Sequence, residues 1–130
     1  SYYSESGNKY SLGADDGAYG AAYDVPDKLM FAYDADNGNL YFGLNGLWAD
    51  GAGNCDQAWS GAVAAYTGIT GTFAPCVSIN GTTEFHNMNF GQDSTNVVSG
   101  NPDDNGYGNF EYAVPSVFFY FCTKNLGSNV

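Results

Sequence analysis

Trp48, Trp59, Tyr66 and Tyr107 stand among Gly, Ser and Asn in the two long polar stretches of the chain, residues 46–72 and 93–108. Rings set among small polar residues give rigid contact area and adaptable hydrogen bonding at binding surfaces. They can stack on sugars or fill a pocket in a protein. Trp48 and Trp59 can equally fold back to cover one end of a domain. Asp34, Asp36 and Asn37 share part of a calcium-loop pattern, but the glycine at 38 comes one place early and position 45 is Asn where a bidentate Glu is needed. Turn-forming residues fit that stretch better. Asp103, Asp104 and Asn105 read the same way, as a solvated turn. His86 is the sole histidine, with no second histidine or nucleophile beside it, and reads as a core or edge imidazole. Glu84, Glu111 and the aspartates include no pair whose environments must differ, as a glycosidase requires. No catalytic residue, metal or cofactor is expected.

These residues need strands and turns to position them. Asn37-Gly38 is a strong hairpin signal, because a type I′ turn needs positive φ at both central residues. Pairing Asp36 with Asn39 puts Leu29, Phe31, Tyr33, Ala35, Leu40, Phe42 and Leu44 on one face, the expected core. Asp34, Asp36, Asn39, Tyr41 and Asn45 fall on the other, the expected wet face. Asn45-Gly46 then ends the returning strand and turns the chain toward Trp48.

Eighteen glycines, abundant Asn and Tyr, and no long helical periodicity indicate an all-β fold of short strands and tight turns. A length of 130 residues suits one domain spanning 1–130. Aromatic residues make up 17% of the chain, enough large side chains for a packed sandwich despite the glycine content. The net charge of −11, with three lysines and no arginine, argues against nucleic acid, whose phosphates would be repelled. It also favours solubility. Cys55, Cys76 and Cys122 are odd in number and lack metal-ligand spacing, so no disulfide framework is indicated; Cys76 and Cys122 sit inside apolar runs and read as small buried hydrophobes, in keeping with a reducing compartment. No apolar run is long enough to span a bilayer, and no cleavable leader is visible, so membrane insertion is not expected.

Further along, 73–79 reads as a strand with Phe73, Val77 and Ile79 to one side. The next, 84–90, sets His86, Met88 and Phe90 on one face. Asn80-Gly-Thr82 matches a glycosylation acceptor, a motif common by chance. Val117-Phe-Phe-Tyr-Phe-Cys122 is apolar on both faces, as a strand covered on both sides would be.

Three segments then converge on one family: Tyr33-Asp-Ala-Asp-Asn-Gly-Asn-Leu-Tyr-Phe-Gly-Leu-Asn-Gly46, Met88-Asn-Phe-Gly-Gln-Asp93 and Phe121-Cys-Thr-Lys-Asn-Leu126. Together they resemble a SPRY domain, in the version found in tail and other virion proteins of bacterial viruses. Tyr3-Ser-Glu-Ser-Gly-Asn-Lys-Tyr10 and Ala18-Tyr-Gly-Ala-Ala-Tyr23 are similar to the segment preceding the central hairpin in that family. The family's opening strands have no counterpart here, which implies a piece of a longer protein or a sheet completed by another subunit. The Gly-Asp-Pro that often follows the tryptophan is also missing.

The resemblance implies a bent antiparallel β-sandwich, a concanavalin-like jelly roll, used for binding or assembly rather than catalysis. The leading expectation is a tail-fibre, head-fibre or decoration protein of the virion, assembled in the host cytoplasm, whose partners are other copies of itself and other virion proteins. A second is recognition of host surface glycans through Trp48, Trp59, Tyr66 and Tyr107. A third is an intracellular peptide-binding SPRY module. A fold of this kind hosts unrelated partners, so the site must decide.

Overall fold

Two residue pairs in the first half of the chain adopt left-handed backbone conformations and set its two tightest turns. In the computed structural model, which describes residues 1–2, 4–78 and 86–126, Leu12 and Gly13 have φ of 50° and 83°, and Asn45 and Gly46 have φ of 51° and 93°. Positive φ at both central residues is the type I′ pattern, whose twist matches that of flanking strands. The first turn joins β1 (Asn8–Ser11) to β2 (Ala14–Ala18), with Ser11 opposite Ala14. The second joins β4 (Asn39–Leu44) to β5 (Leu47–Ala49), with Leu44 opposite Leu47.

The expected hairpin forms between β3 (Leu29–Asp34) and β4, but its register differs from the sequence reading by two residues. Asp34, rather than Asp36, faces Asn39, and four residues make the loop. The cause is the Asp34 carboxylate: Oδ1 accepts the N–H groups of Asp36 and Asn37, both at 3.1 Å, and Oδ2 accepts the Asn37 side-chain amide at 2.7 Å. This Asx arrangement closes a longer loop, in which Gly38, at φ 67°, has positive φ and Asn37 does not. Gly38 is required there, since a Cβ would lie 2.4 Å from the Ile69 carbonyl oxygen. A shift of two leaves the two faces intact.

Strand β6 (Cys55–Gln57) completes an antiparallel sheet of order β3-β4-β5-β6, and β1-β2 forms a second. The fold class is therefore all-β, two antiparallel sheets with almost no helix, in keeping with a β-sandwich. A single 3-10 turn spans Trp59–Gly61, and a short helix, α1, spans Thr123–Leu126.

The chain gathers into two compact units, Ser1–Ile69 and Thr70–Val130. In the first, Tyr2 and Tyr19 carry the small sheet onto Phe42 of β4. Tyr2 stacks on Phe42 with centroids 5.3 Å apart and meets Tyr19 edge-on at 5.7 Å. Ala49 and Ala65 fill the remaining space, with Tyr23, Cys55 and Tyr66 packed around them. Buried hydroxyls are satisfied: Tyr19 donates to the Val63 carbonyl (2.8 Å) and accepts from Phe42 N–H (3.1 Å), while Tyr2 donates to the Ala21 carbonyl.

The expected division of the hairpin into a core face and a wet face does not hold along β3. Leu29, Phe31 and Tyr33 are 36–41% exposed, whereas Ala32, on the supposed wet face, is buried. On β4, Phe42 and Leu44 do point inward as expected, but Tyr41 opposite them is half-buried too. The sheet is covered on both sides, because the chain beyond β5 returns across the second face.

In the second unit, no strand forms among the described residues. Asn101 and Phe110 make an isolated antiparallel bridge, and α1 follows. Residues 73–78, 86–90 and 117–122, read from the sequence as strands, have irregular backbone. At 117–122 the reason is local: Val117 has φ 67°, outside the strand region, and nearby loop carboxylates take backbone N–H groups that a ladder would need. Ile79, Asn80–Thr82, Glu84 and Phe85 lie outside the described residues.

Candidate functional site

Turning at Asn45-Gly46 sets Trp48 opposite Gly43, so that Trp48 shares a face with Gly43 and with Tyr41, two residues earlier. The approach is close. A Cβ on Gly43 would sit 2.5 Å from the Leu47 carbonyl oxygen and 2.7 Å from Met30 Cε. After β6, the 3-10 turn brings Trp59 over the same face. Its ring meets Trp48 edge-on with centroids 5.0 Å apart and Tyr41 at 4.9 Å. Trp48 is buried beneath, while Trp59 and Tyr41 stay half-exposed. The result is an aromatic platform of three rings on one side of the four-stranded sheet.

Of the four aromatics singled out in sequence, the structure joins two. Tyr66 is elsewhere in the first unit: its backbone bridges Leu40 of β4, and its ring packs on the core. The Tyr66 hydroxyl lies 2.6 Å from the Tyr10 carbonyl and 2.9 Å from the Ser1 carbonyl, and accepts from the Ser1 ammonium at 3.1 Å. It fastens the first strand to the sheet. Lys9 reinforces this, donating to the Ala65 carbonyl at 2.9 Å with its ammonium 5.8 Å from the Tyr66 ring centroid. Tyr107 belongs to the second unit, where the Lys124 ammonium stands 5.2 Å from its ring centroid. Tyr41 is the site residue the sequence reading left out.

The acidic residues form a recurring structural device. Asp50 accepts from Ala52 N–H, Asn54 N–H and the Asn54 side-chain amide, which hold its carboxyl down at about 2. Asp93, bonded by Thr95 and Asn96, is likewise held at about 2. Asp34 is lowered by its bonds from Asn37 and Asp36. Asp27 is lowered first by Asn45, whose amide donates to it at 2.7 Å while Asn45 Oδ1 accepts Lys28 N–H at 2.9 Å. Asp34, Asp50 and Asp93 are turned toward their own loops, and Asp27 toward Asn45 in the turn after β4. Asp36 lies exposed in the hairpin loop and Gly46 in the turn after β4. Among the described residues, no group of three or more His, Cys, Asp or Glu side chains is placed to hold a metal ion.

Comparison with protein-family models, with curated proteins and with solved structures finds no match.

Proposed function

We propose that this protein is a non-enzymatic structural domain of a bacterial virus particle, a tail-fibre, head-fibre or decoration component, acting through protein–protein assembly. Its SPRY-like segments suggest that setting. The observation carrying the assembly reading is how the chain distributes its side chains. Aspartates at several loops bind their own backbone, while large apolar residues, Leu12, Val25, Val98 and Phe121 among them, project into solvent from turns and loops. Such a surface offers shape and apolar contact. The test is to band the native source on a density gradient and quantify this chain by peptide mass spectrometry. Co-sedimentation with particles at fixed stoichiometry is expected; recovery as free protein alone rejects the reading.

A second reading has an observation of its own. The Trp59 and Tyr41 rings, half-exposed above Trp48, make a platform on which a sugar ring can stack. Host-surface glycans added to the protein should then change its tryptophan fluorescence, and Trp59→Ala should abolish the change. Fluorescence indifferent to a broad glycan panel excludes this role.

A further inference from the structure

The aromatic platform has a polar margin. β6 runs beside β5 with a bulge: Trp48 faces Gln57 and Ala49 faces Cys55, which leaves Asp56 as the extra residue. In a regular strand Asp56 and Gln57 would point to opposite faces of the sheet, whereas a bulge re-aims side chains. Here the two meet, the Gln57 side-chain amide donating to Asp56 Oδ1. Gln57 lies directly opposite Trp48, so the pair stands beside the rings of Trp48, Tyr41 and Trp59.

A carboxylate only accepts, so this bond fixes which way round the Gln57 amide is turned. Its nitrogen faces Asp56. Its oxygen faces Gly61, where a Cβ would lie 2.5 Å from Oε1, and glycine at 61 leaves room for it. Gln57 Oε1 and Asp56 Oδ2 accept no hydrogen bond from any described residue. Asp56 is exposed, and Gln57 and Trp59 are half-exposed. Two oriented acceptors therefore border a flat apolar surface that solvent reaches.

We propose that platform and margin together bind a neutral sugar, its pyranose ring lying on Trp59 and two of its hydroxyls donating to Asp56 and to Gln57 Oε1. This rests on the glycan reading above and names the class of glycan. A pyranose has a face of C–H groups that packs on an aromatic ring and hydroxyl donors around its rim, so it matches both parts. Two other occupants fit less well. An acidic sugar would bring its carboxylate to Asp56, on a chain of net charge −11 with three lysines. A quaternary ammonium is held by rings standing apart around it. Trp59 instead touches both Trp48 and Tyr41, at centroid distances of 5.0 and 4.9 Å, and leaves no hollow between them.

Tryptophan fluorescence of the full chain, titrated with lactose, maltose, mannobiose, sialyllactose and choline, tests the assignment. At least one of the three neutral disaccharides should bind, and sialyllactose and choline should not. Gln57→Ala should weaken that binding by up to about tenfold, the loss of one hydrogen bond. Gly61→Ala, which pushes the Gln57 carbonyl aside, should act in the same direction. Asp56→Asn keeps the shape, removes the charge and should admit sialyllactose, a change of selectivity that a merely structural role would not produce. Preference of the native protein for sialyllactose or choline overturns the proposal. So does neutral-sugar binding indifferent to both Gln57→Ala and Asp56→Asn; if Trp59→Ala still abolishes that binding, the glycan reading stands without this margin. Silence toward all three neutral disaccharides also overturns it, and the broad glycan panel then decides the wider reading by itself.

Discussion

The Asn125 side-chain amide donates to Asp103 Oδ2 at 2.7 Å, and both residues are buried. The same oxygen accepts Tyr120 N–H at 2.8 Å, while Oδ1 accepts the N–H groups of Asn105 and Tyr107 at 3.0 and 2.9 Å. One carboxylate therefore joins the 101–110 loop, the irregular 117–122 segment and α1.

Acid should loosen this unit. Burial works to raise the Asp103 pKa, but the hydrogen bonds from Tyr107, Tyr120, Asn125 and Asn105 outweigh it and hold the carboxyl below its ordinary value. With the folded pKa depressed, the contribution is complete above the unfolded value near 4 and fades as pH falls through the folded one. Asp103→Ala orphans the Tyr107 and Tyr120 amides and should cost about 2 kcal/mol, with loss of the acid-dependent step. Near-ultraviolet circular dichroism across an acid titration of both proteins measures this. An unchanged acid profile in the variant would falsify the assignment.

Alkali should act on the first unit through Tyr19. Burial pushes its phenol up to about 12, with the Phe42 N–H donation opposing. Burial also raises Tyr2 and Tyr23. With folded pKa values above the unfolded value near 10, stability is intact below pH ~10 and falls as pH rises through the folded values. Phenolate absorbance and unfolding should therefore rise together in that window. Early titration of these tyrosines without unfolding contradicts the packing.

The turn at Asn45 offers a graded series. Asn45→Ala loses two side-chain hydrogen bonds and places a Cβ residue less suited to φ 51° there, for a cost of about 1–2 kcal/mol. Asn45→Gly keeps the backbone and should cost less. Gly43→Ala forces a methyl against the Leu47 carbonyl and should cost about 1–3 kcal/mol. Urea unfolding followed by the fluorescence of Trp48 and Trp59 reports all three.

Leu12 predicts the opposite sign. It is fully exposed at φ 50° in a two-residue turn, a conformation Asn adopts more readily. Leu12→Asn should raise stability by roughly 0.5–1 kcal/mol, visible as a higher Tm. A lower Tm shows that the leucine makes a contact worth more than its strain.

The hairpin shows what the sequence carries. Alternation of apolar residues told which residues of β3 and β4 share a face, and that parity survived the register error, but it did not tell which face of β3 is buried: Ala32 is, while Leu29, Phe31 and Tyr33 are exposed. The register itself depended on whether Asn37-Gly38 or the Asp34 carboxylate closed the loop, a competition between two local hydrogen-bonding solutions that residue types leave undecided. The type I′ turn sits at Asn45-Gly46 instead. Carrying that turn one step further pairs Gly43 with Trp48, so the Tyr41–Trp48 face was within reach of the same reasoning. Trp59 and Tyr66 were not, because their positions depend on contacts with strands far away in sequence. At Val117–Cys122, an unbroken apolar run with β propensity read as a strand covered on both sides, but a strand also needs a neighbour, and local pattern says nothing of one; Val117, Phe119 and Phe121 are exposed on irregular backbone.

The bonds that fasten Tyr66 to Tyr10, Lys9 to Ala65 and Tyr19 to Val63 join residues 44–56 positions apart. The β1–β2 and β3–β4 hairpins close short loops and can form early, whereas the contacts that seal them wait on a long chain closure. During synthesis, the first unit would therefore emerge as two separate hairpins and acquire its core only when residues 63–66 leave the ribosome. Stalled nascent chains ending before Val63 should remain protease-sensitive, and those that extend past Ile69 should become resistant in one step.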